Sequence, residues 1–108
     1  MAETDTWETT RQGGSSFHRW VTLHDDGSLT IAGHDLGDTP RDALGGGEYE
    51  FCRRVTPAGV ARFRQVLGLP ADAPLLPALR ARFERTADIE QALAEAHIDT
   101  DFWSRVGD

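Results

Sequence analysis

The segment 17–35 constrains the fold more than any other part of the chain, because only one hairpin register matches its side chains. Its tip is the run HDDGS at 24–28, in which Gly27 suits the left-handed position that follows a type I turn. Leu23 then lies opposite Leu29, and matched pairs follow along both strands. These further pairs are Val21 with Ile31, Thr22 with Thr30, Trp20 with Ala32, and His18 with His34. A shift of one residue would mix the apolar and polar faces, so we predict this register.

Length and charge limit the classes of partner. A chain of 108 residues suits one domain with a single modest core. Eighteen acidic and eleven basic side chains give a formal net charge of −7, which disfavours binding to phosphate backbones and to anionic lipid. We therefore expect neither nucleic acid nor a membrane as partner. The sequence shows no leader pattern and no apolar run of membrane-spanning length, so a cytoplasmic location is expected.

Residue types that carry common catalytic chemistry are scarce. Cys52 is the only cysteine, which excludes an internal disulfide and a cysteine-rich zinc site. The chain has no lysine, which excludes Walker A phosphate binding and Schiff-base chemistry. The motifs of zinc metalloproteases and of α/β-hydrolases do not occur. We therefore expect a protein that is not an enzyme and that uses no cofactor.

Strands are predicted on both sides of a helical region. Residues 1–16 are polar, lack periodicity and end in a Gly-Gly-Ser-Ser run, so we expect a flexible tail before one domain at 17–108. The glycine-rich stretch 36–47 predicts a long loop. Apolar and polar residues alternate over 48–55, which predicts a third strand. A similar alternation over 101–106 predicts a short fourth strand, although a packed terminal arm would contain the same residues.

Three stretches between the third and fourth strands have apolar residues at helical spacing, beginning at Pro57, after Asp72 and at Asp88. Runs of strands followed by runs of helices are typical of α+β domains, in which helices cover one face of an antiparallel sheet. We predict an α+β fold in the order β-β-β-α-α-α-β, with three or four strands and with three helices packed on one face. The other face of the sheet would be open to solvent or to a partner.

Aromatic and acidic residues form the first group of candidate functional residues. Trp20 on the open face and Trp103 near the end of the chain are candidate anchors for a protein partner. The acids that could steer a basic partner towards them are Asp25, Asp26, Asp99 and Asp101. In the alternative interpretation, Trp103 belongs to the core and Trp20 merely covers the sheet.

His18 and His34 form the second group. Directly opposed strand residues have Cβ atoms about 5 Å apart, so two opposed imidazoles could share a metal ion. Two ligands are too few for a site. Glu48 or Glu50 could supply a third, but only if the third strand lies beside the second in a suitable register. Solvated surface histidines are the commoner arrangement, so metal binding is expected to be weak or absent.

Three stretches, HDDGSL at 24–29, EYEF at 48–51 and DFWSRVGD at 101–108, are similar to small bacterial single-domain proteins of unknown function. The resemblance covers most of residues 17–108 and implies no catalytic residue. Size and acidity favour a non-enzymatic binding module, such as an immunity protein or an antitoxin that binds a basic protein. The alternative is a metal-binding protein that uses histidine and carboxylate ligands, including a metal-dependent hydrolase.

Overall fold

An antiparallel sheet of five strands runs through the described residues, which are 2–37 and 47–107 of this computed structural model. The strands, each paired with its neighbours in chain order, are β1 (Glu3–Gln12), β2 (Ser15–Leu23), β3 (Leu29–Leu36), β4 (Glu48–Val55) and β5 (Thr100–Gly107). Between β4 and β5 the chain forms the helices α1 (Pro57–Val66), α2 (Leu75–Arg82) and α3 (Thr86–Glu95). The class is α+β, but the predicted count of three or four strands is wrong.

The β2–β3 hairpin has the register that the sequence predicts. All the expected pairs are present, from Leu23 opposite Leu29 to His18 opposite His34. At the tip, Gly27 has a φ of 90°, a left-handed conformation that glycine adopts without strain. The apolar pairs Leu23–Leu29 and Val21–Ile31 therefore lie on the face that packs against the helices, which we call the helical face.

The fifth strand comes from the segment 1–16, for which the sequence predicts a flexible tail. Most of this segment forms β1, and Gly13 and Gly14 make a two-residue connection to β2, with Gln12 opposite Ser15. The strand is hard to detect because threonines and acids, rather than alternating apolar residues, occupy its faces. Threonine enrichment and a Gly-Gly pair are nevertheless typical of a hairpin.

A β-bulge at Trp7 fastens β1 to the helices. The register shifts between Thr6 and Glu8, and the side chains of both Trp7 and Glu8 reach the helical layer. Trp7 is buried and donates from Nε1 to the carbonyl of Phe83 at 3.2 Å. Glu8 Oε1 accepts from the amide of Thr86 at 2.6 Å. Because α3 has no side-chain cap of its own, this β1 carboxylate satisfies an amide at the start of that helix.

The core lies between the helices and the half of the sheet that carries the β2–β3 turn, which we call the turn end. Its buried residues are Trp7, Val21, Leu29, Ile31, Val55, Val60, Phe63, Leu75, Leu76, Leu79, Ile89, Leu93 and Ile98. The opposite face of the sheet, which we call the open face, contains no fully buried side chain in β2–β5 of the described residues. This face is available for contacts outside the fold.

The fourth strand that the sequence predicts over 101–106 is present as β5, which pairs with β4 along its whole length. The loop predicted at 36–47 lies mostly outside the described residues. No helix within 2–37 and 47–107 is long and apolar enough to cross a membrane.

Candidate binding face of the sheet

Three adjacent rows of side chains on the open face run across the strands β2–β5. The middle row, which we call the tryptophan row, consists of Trp20, Ala32, Cys52 and Trp103. The next row away from the turn, called the histidine row, consists of His18, His34, Glu50 and Arg105. The row nearer the turn, called the turn row, consists of Thr22, Thr30, Arg54 and Asp101. Cross-strand pairing thus assembles residues that are far apart in the sequence.

The tryptophan row forms a shallow depression between two indoles. Ala32 and Cys52 are small, so the surface between Trp20 and Trp103 is low, and a hollow of about 260 Å³ lies there. With three strand spacings between them, the backbones of the two tryptophans are roughly 14 Å apart. Trp103 is 55% exposed and Trp20 is half-buried. Trp103 is therefore not a core residue, and both indoles border a surface that a partner can reach.

Cys52 forms part of the floor of this depression. Burial raises the pKa of its thiol, so the group is a neutral thiol rather than a thiolate at neutral pH. Cys52 therefore contributes apolar surface and not a nucleophile.

His34 meets two carboxylates in and beside the histidine row. β4 lies beside β3 with Glu50 opposite His34, which is the arrangement that a third metal ligand requires. His34 Nε2 lies 3.2 Å from Glu48 Oε1 and 3.6 Å from Glu50 Oε1. The ligand atoms of the three residues lie within 4.8 Å of one another. His18 is opposite His34, as predicted, but it does not belong to this group.

Arg105 is the cation of this cluster. Its Nη2 lies 3.2 Å from Glu50 Oε2 and 3.7 Å from Glu48 Oε1. Hydrogen bonding with Glu50 and with His34 lowers the pKa of Glu48, which keeps that carboxyl ionised at neutral pH. Arg105 therefore pairs with both carboxylates that a metal ion would need as ligands.

The predicted steering acids share the turn end of the sheet. Asp26 accepts hydrogen bonds from the amide and the hydroxyl of Ser28 at 2.8 and 2.6 Å, and these bonds lower its pKa. Arg54 Nη2 lies 3.3 Å from Asp26 Oδ2, and Arg54 is opposite Asp101 in the turn row. The four predicted steering acids, which are Asp25, Asp26, Asp99 and Asp101, are all exposed.

Sequence reasoning missed the role of Arg105. Once β5 is placed beside β4, alternation puts Asp101, Trp103 and Arg105 on one face, so the signal was present in the predicted strand. What the sequence lacks is the register between β4 and β5, which brings Arg105 to Glu50.

Comparison of the chain with protein-family models, with curated proteins and with solved structures finds no match. The resemblance to small bacterial proteins therefore stays a prediction.

Proposed function

We propose that this protein is a non-enzymatic protein-binding module whose contact surface is the tryptophan row together with the acids at the turn end. The observation that carries this proposal is the exposure of Trp103, which is 55% exposed at the border of the depression shared with Trp20. A large aromatic side chain at the edge of an apolar hollow is typical of an interface anchor. Burial of both indoles by a partner would supply most of the binding free energy.

The proposed partner is a basic protein. The net charge of −7 and the four exposed acids at the turn end favour attraction of a positively charged surface. Such long-range attraction increases the association rate and weakens as salt screens it. An acidic immunity protein or antitoxin that neutralises a basic toxin would act in this way.

Affinity capture with matched variants tests this proposal. A tagged chain would be used to recover partners from a lysate of the source organism, in parallel with Trp103→Ala, Trp20→Ala and Val66→Ala. Val66 is a suitable control because it is 53% exposed but lies on α1, away from the open face. We expect a basic protein whose recovery is lost with either tryptophan variant and is retained with Val66→Ala. A protein recovered equally by all variants would contradict the assigned surface.

Rate measurements on the recovered protein would sharpen the assignment. We expect Trp103→Ala to raise the dissociation rate by about tenfold or more, as for an interface anchor. Asp99→Asn with Asp101→Asn should mainly lower the association rate, and the loss should disappear in about 0.5 M salt. Binding that ignores both salt and these substitutions would count against a basic partner.

Metal binding by His34, Glu48 and Glu50 is the second candidate function. One observation favours it: the ligand atoms of these three residues lie within 4.8 Å of one another. Zinc accepts histidine nitrogen and carboxylate oxygen ligands, and a site with three protein ligands keeps a fourth position open. That open position is the one that hydrolytic zinc sites use for water.

Zinc titration by calorimetry tests the second candidate. The variants are His34→Ala and the pair Glu48→Gln with Glu50→Gln. His97→Asn is the control, because His97 lies outside the cluster and its φ of 57° is one that asparagine tolerates. We expect binding that both cluster variants abolish and that the control keeps. A dissociation constant weaker than about 100 μM, or equal loss in the control, would contradict a metal function.

A further inference from the structure

β5 is an edge strand with apolar side chains exposed on both of its faces. Phe102, Trp103 and Val106 are 49%, 55% and 46% exposed. The other edge strand, β1, is covered at its middle, because Arg80 of α2 donates hydrogen bonds to the carbonyls of Thr6 and Trp7. Within residues 2–37 and 47–107, no side chain does the same for β5. An uncovered apolar edge strand is a template for pairing with another strand.

The charges on β5 are arranged symmetrically about Trp103. Asp101 lies two residues before it and Arg105 two residues after it, and all three share the open face. We propose that a second copy of this chain pairs with β5 in the antiparallel direction, with Trp103 of each copy opposite Trp103 of the other. Asp101 of each copy then lies opposite Arg105 of the other copy, so the same ion pair forms twice.

Other registers are less favourable. A shift that aligns Asp101 with Asp101 of the second copy, or Arg105 with Arg105, sets like charges against each other. Intermediate registers put Trp103 opposite a charged side chain and leave one charge without an opposite partner. A shift by one residue would place the open face of one copy beside the helical face of the other. The charge pattern therefore selects the register centred on Trp103.

The helical face of β5 is compatible with this register. Phe102 lies opposite Ser104 of the second copy, and Val106 of the second copy is its diagonal neighbour, within reach of an aromatic ring. Arg53 stacks on Phe102 with its Cζ 4.7 Å from the ring centroid, which holds the ring beside the edge. Such an interface is isologous, and the two sheets would form one continuous sheet of ten strands, five from each copy.

The proposed dimer and the proposed binding of a basic protein respond oppositely to salt. Each copy carries a net charge of −7, so two copies repel at long range and salt relieves that repulsion. The two Asp101–Arg105 ion pairs act at contact distance and are screened less than the repulsion between the net charges. Dimerisation should therefore strengthen when salt is raised from about 0.02 to 0.2 M, whereas binding of a basic protein should weaken. The dimer is measured on the purified chain alone, so its failure would leave the partner proposal untouched.

Exchange of the two charges tests the register directly. Asp101→Arg gives a β5 with two arginines, and Arg105→Asp gives a β5 with two aspartates. Each variant alone should repel its own copy across the interface. An equimolar mixture should form a heterodimer, because every opposed pair in the mixture is then an ion pair. The mixture contains the same two chains, so recovery on mixing separates loss of the interface from local misfolding.

Sedimentation velocity is the measurement, with circular dichroism to confirm that each variant folds. We expect wild-type dimers with a dissociation constant of about 1–100 μM, typical of a small interface. The dissociation constant of each single variant should be at least tenfold weaker than that of wild type. The constant of the mixture should lie within about threefold of the wild-type value, and Val66→Ala should not change it. The proposal is overturned if the wild type stays monomeric at about 1 mM, if the single variants dimerise normally, or if mixing restores nothing.

Discussion

Gly33 lies opposite Phe51 on the helical face of the sheet, and the Phe51 ring occupies the space that a side chain at Gly33 would need. A Cβ at this position would lie 2.6 Å from Phe51 Cζ and 2.8 Å from Arg19 Nη1. The Arg19 guanidinium stacks on the same ring, with Cζ 4.9 Å from the ring centroid, and forms an ion pair with Asp35. The Phe51 ring therefore lies over Gly33, with the Arg19–Asp35 ion pair beside it.

Gly33→Ala should destabilise the fold by about 1–3 kcal/mol, because the ring and the guanidinium must both move. Urea denaturation followed by tryptophan fluorescence measures the change. Gly107→Ala is the matched control, since a Cβ there would meet Glu48 Cβ at 3.8 Å, an ordinary contact. Its expected effect is below about 0.5 kcal/mol. Equal costs at both glycines would show that the close approach of Phe51 is not limiting.

Trp7→Ala and Trp103→Ala remove the same side chain from two different environments. Trp7 is 6% exposed and donates a hydrogen bond to the Phe83 carbonyl, and Arg80 Cζ lies 4.1 Å from the centroid of its ring. Trp103, in contrast, is 55% exposed. We expect Trp7→Ala to lower the free energy of unfolding by about 3–5 kcal/mol and Trp103→Ala by less than about 1 kcal/mol. Urea midpoints of the two variants check this contrast. A small effect at Trp7 would mean that β1 is not an integral part of the fold.

The β2–β3 hairpin and β1 show why part of the fold can be predicted and part cannot. Matched pairs within 17–35 select one hairpin register from local sequence alone. β1 is an edge strand whose polar side chains carry little periodicity, and its one large apolar residue, Trp7, is placed by a bulge. The start of α3 is similar, because Glu8 caps Thr86 from 78 residues away. Such long-range contacts leave no local pattern.

The candidate site divides in the same way. His18 opposite His34 follows from the hairpin register, which lies within one short stretch of chain. The approach of Glu48 and Glu50 to His34 depends on the pairing of β3 with β4, whose connecting segment carries no register signal. Arg105 joins the cluster only through the pairing of β4 with β5, after three intervening helices. The candidate ligand residues can be predicted from the sequence, whereas their assembly into one cluster cannot.

Glu8→Ala should weaken the start of α3. The Thr86 amide loses the carboxylate that accepts its hydrogen bond at 2.6 Å, which should cost about 1 kcal/mol. Hydrogen exchange of the α3 amides is the measurement, and the first turn should lose protection before the rest of the helix. Glu8→Gln keeps an acceptor oxygen and should lose less. Unchanged protection in Glu8→Ala would remove the proposed role of β1 as a cap.

Asp26→Asn should reveal the pH dependence of the hairpin tip. Hydrogen bonds from Ser28 lower the pKa of Asp26 below its ordinary value of 3.8, so the ionised carboxylate stabilises the folded state. That contribution is complete above the unfolded pKa and is lost as the pH falls through the folded pKa. Wild type should therefore exceed Asp26→Asn in stability near pH 7, and the difference should shrink as the pH falls below about 3.8. Urea midpoints across this range provide the test, and a difference that is constant with pH would contradict it.

Arg105→Gln separates the two interpretations of the histidine cluster. Arg105 lies 3.2 Å from Glu50 and 3.7 Å from Glu48, so its removal frees both carboxylates for a metal ion. If His34, Glu48 and Glu50 bind zinc, the affinity should rise by about fivefold, because a competing cation is gone. Arg54→Gln is the control, since Arg54 lies in the turn row, where it forms an ion pair with Asp26, and not at the cluster. The titration is done at protein concentrations below the dimer dissociation constant, which keeps pairing along β5 out of the measurement. If zinc binding weakens or does not change, the cluster is an ion-pair network that holds β3, β4 and β5 together.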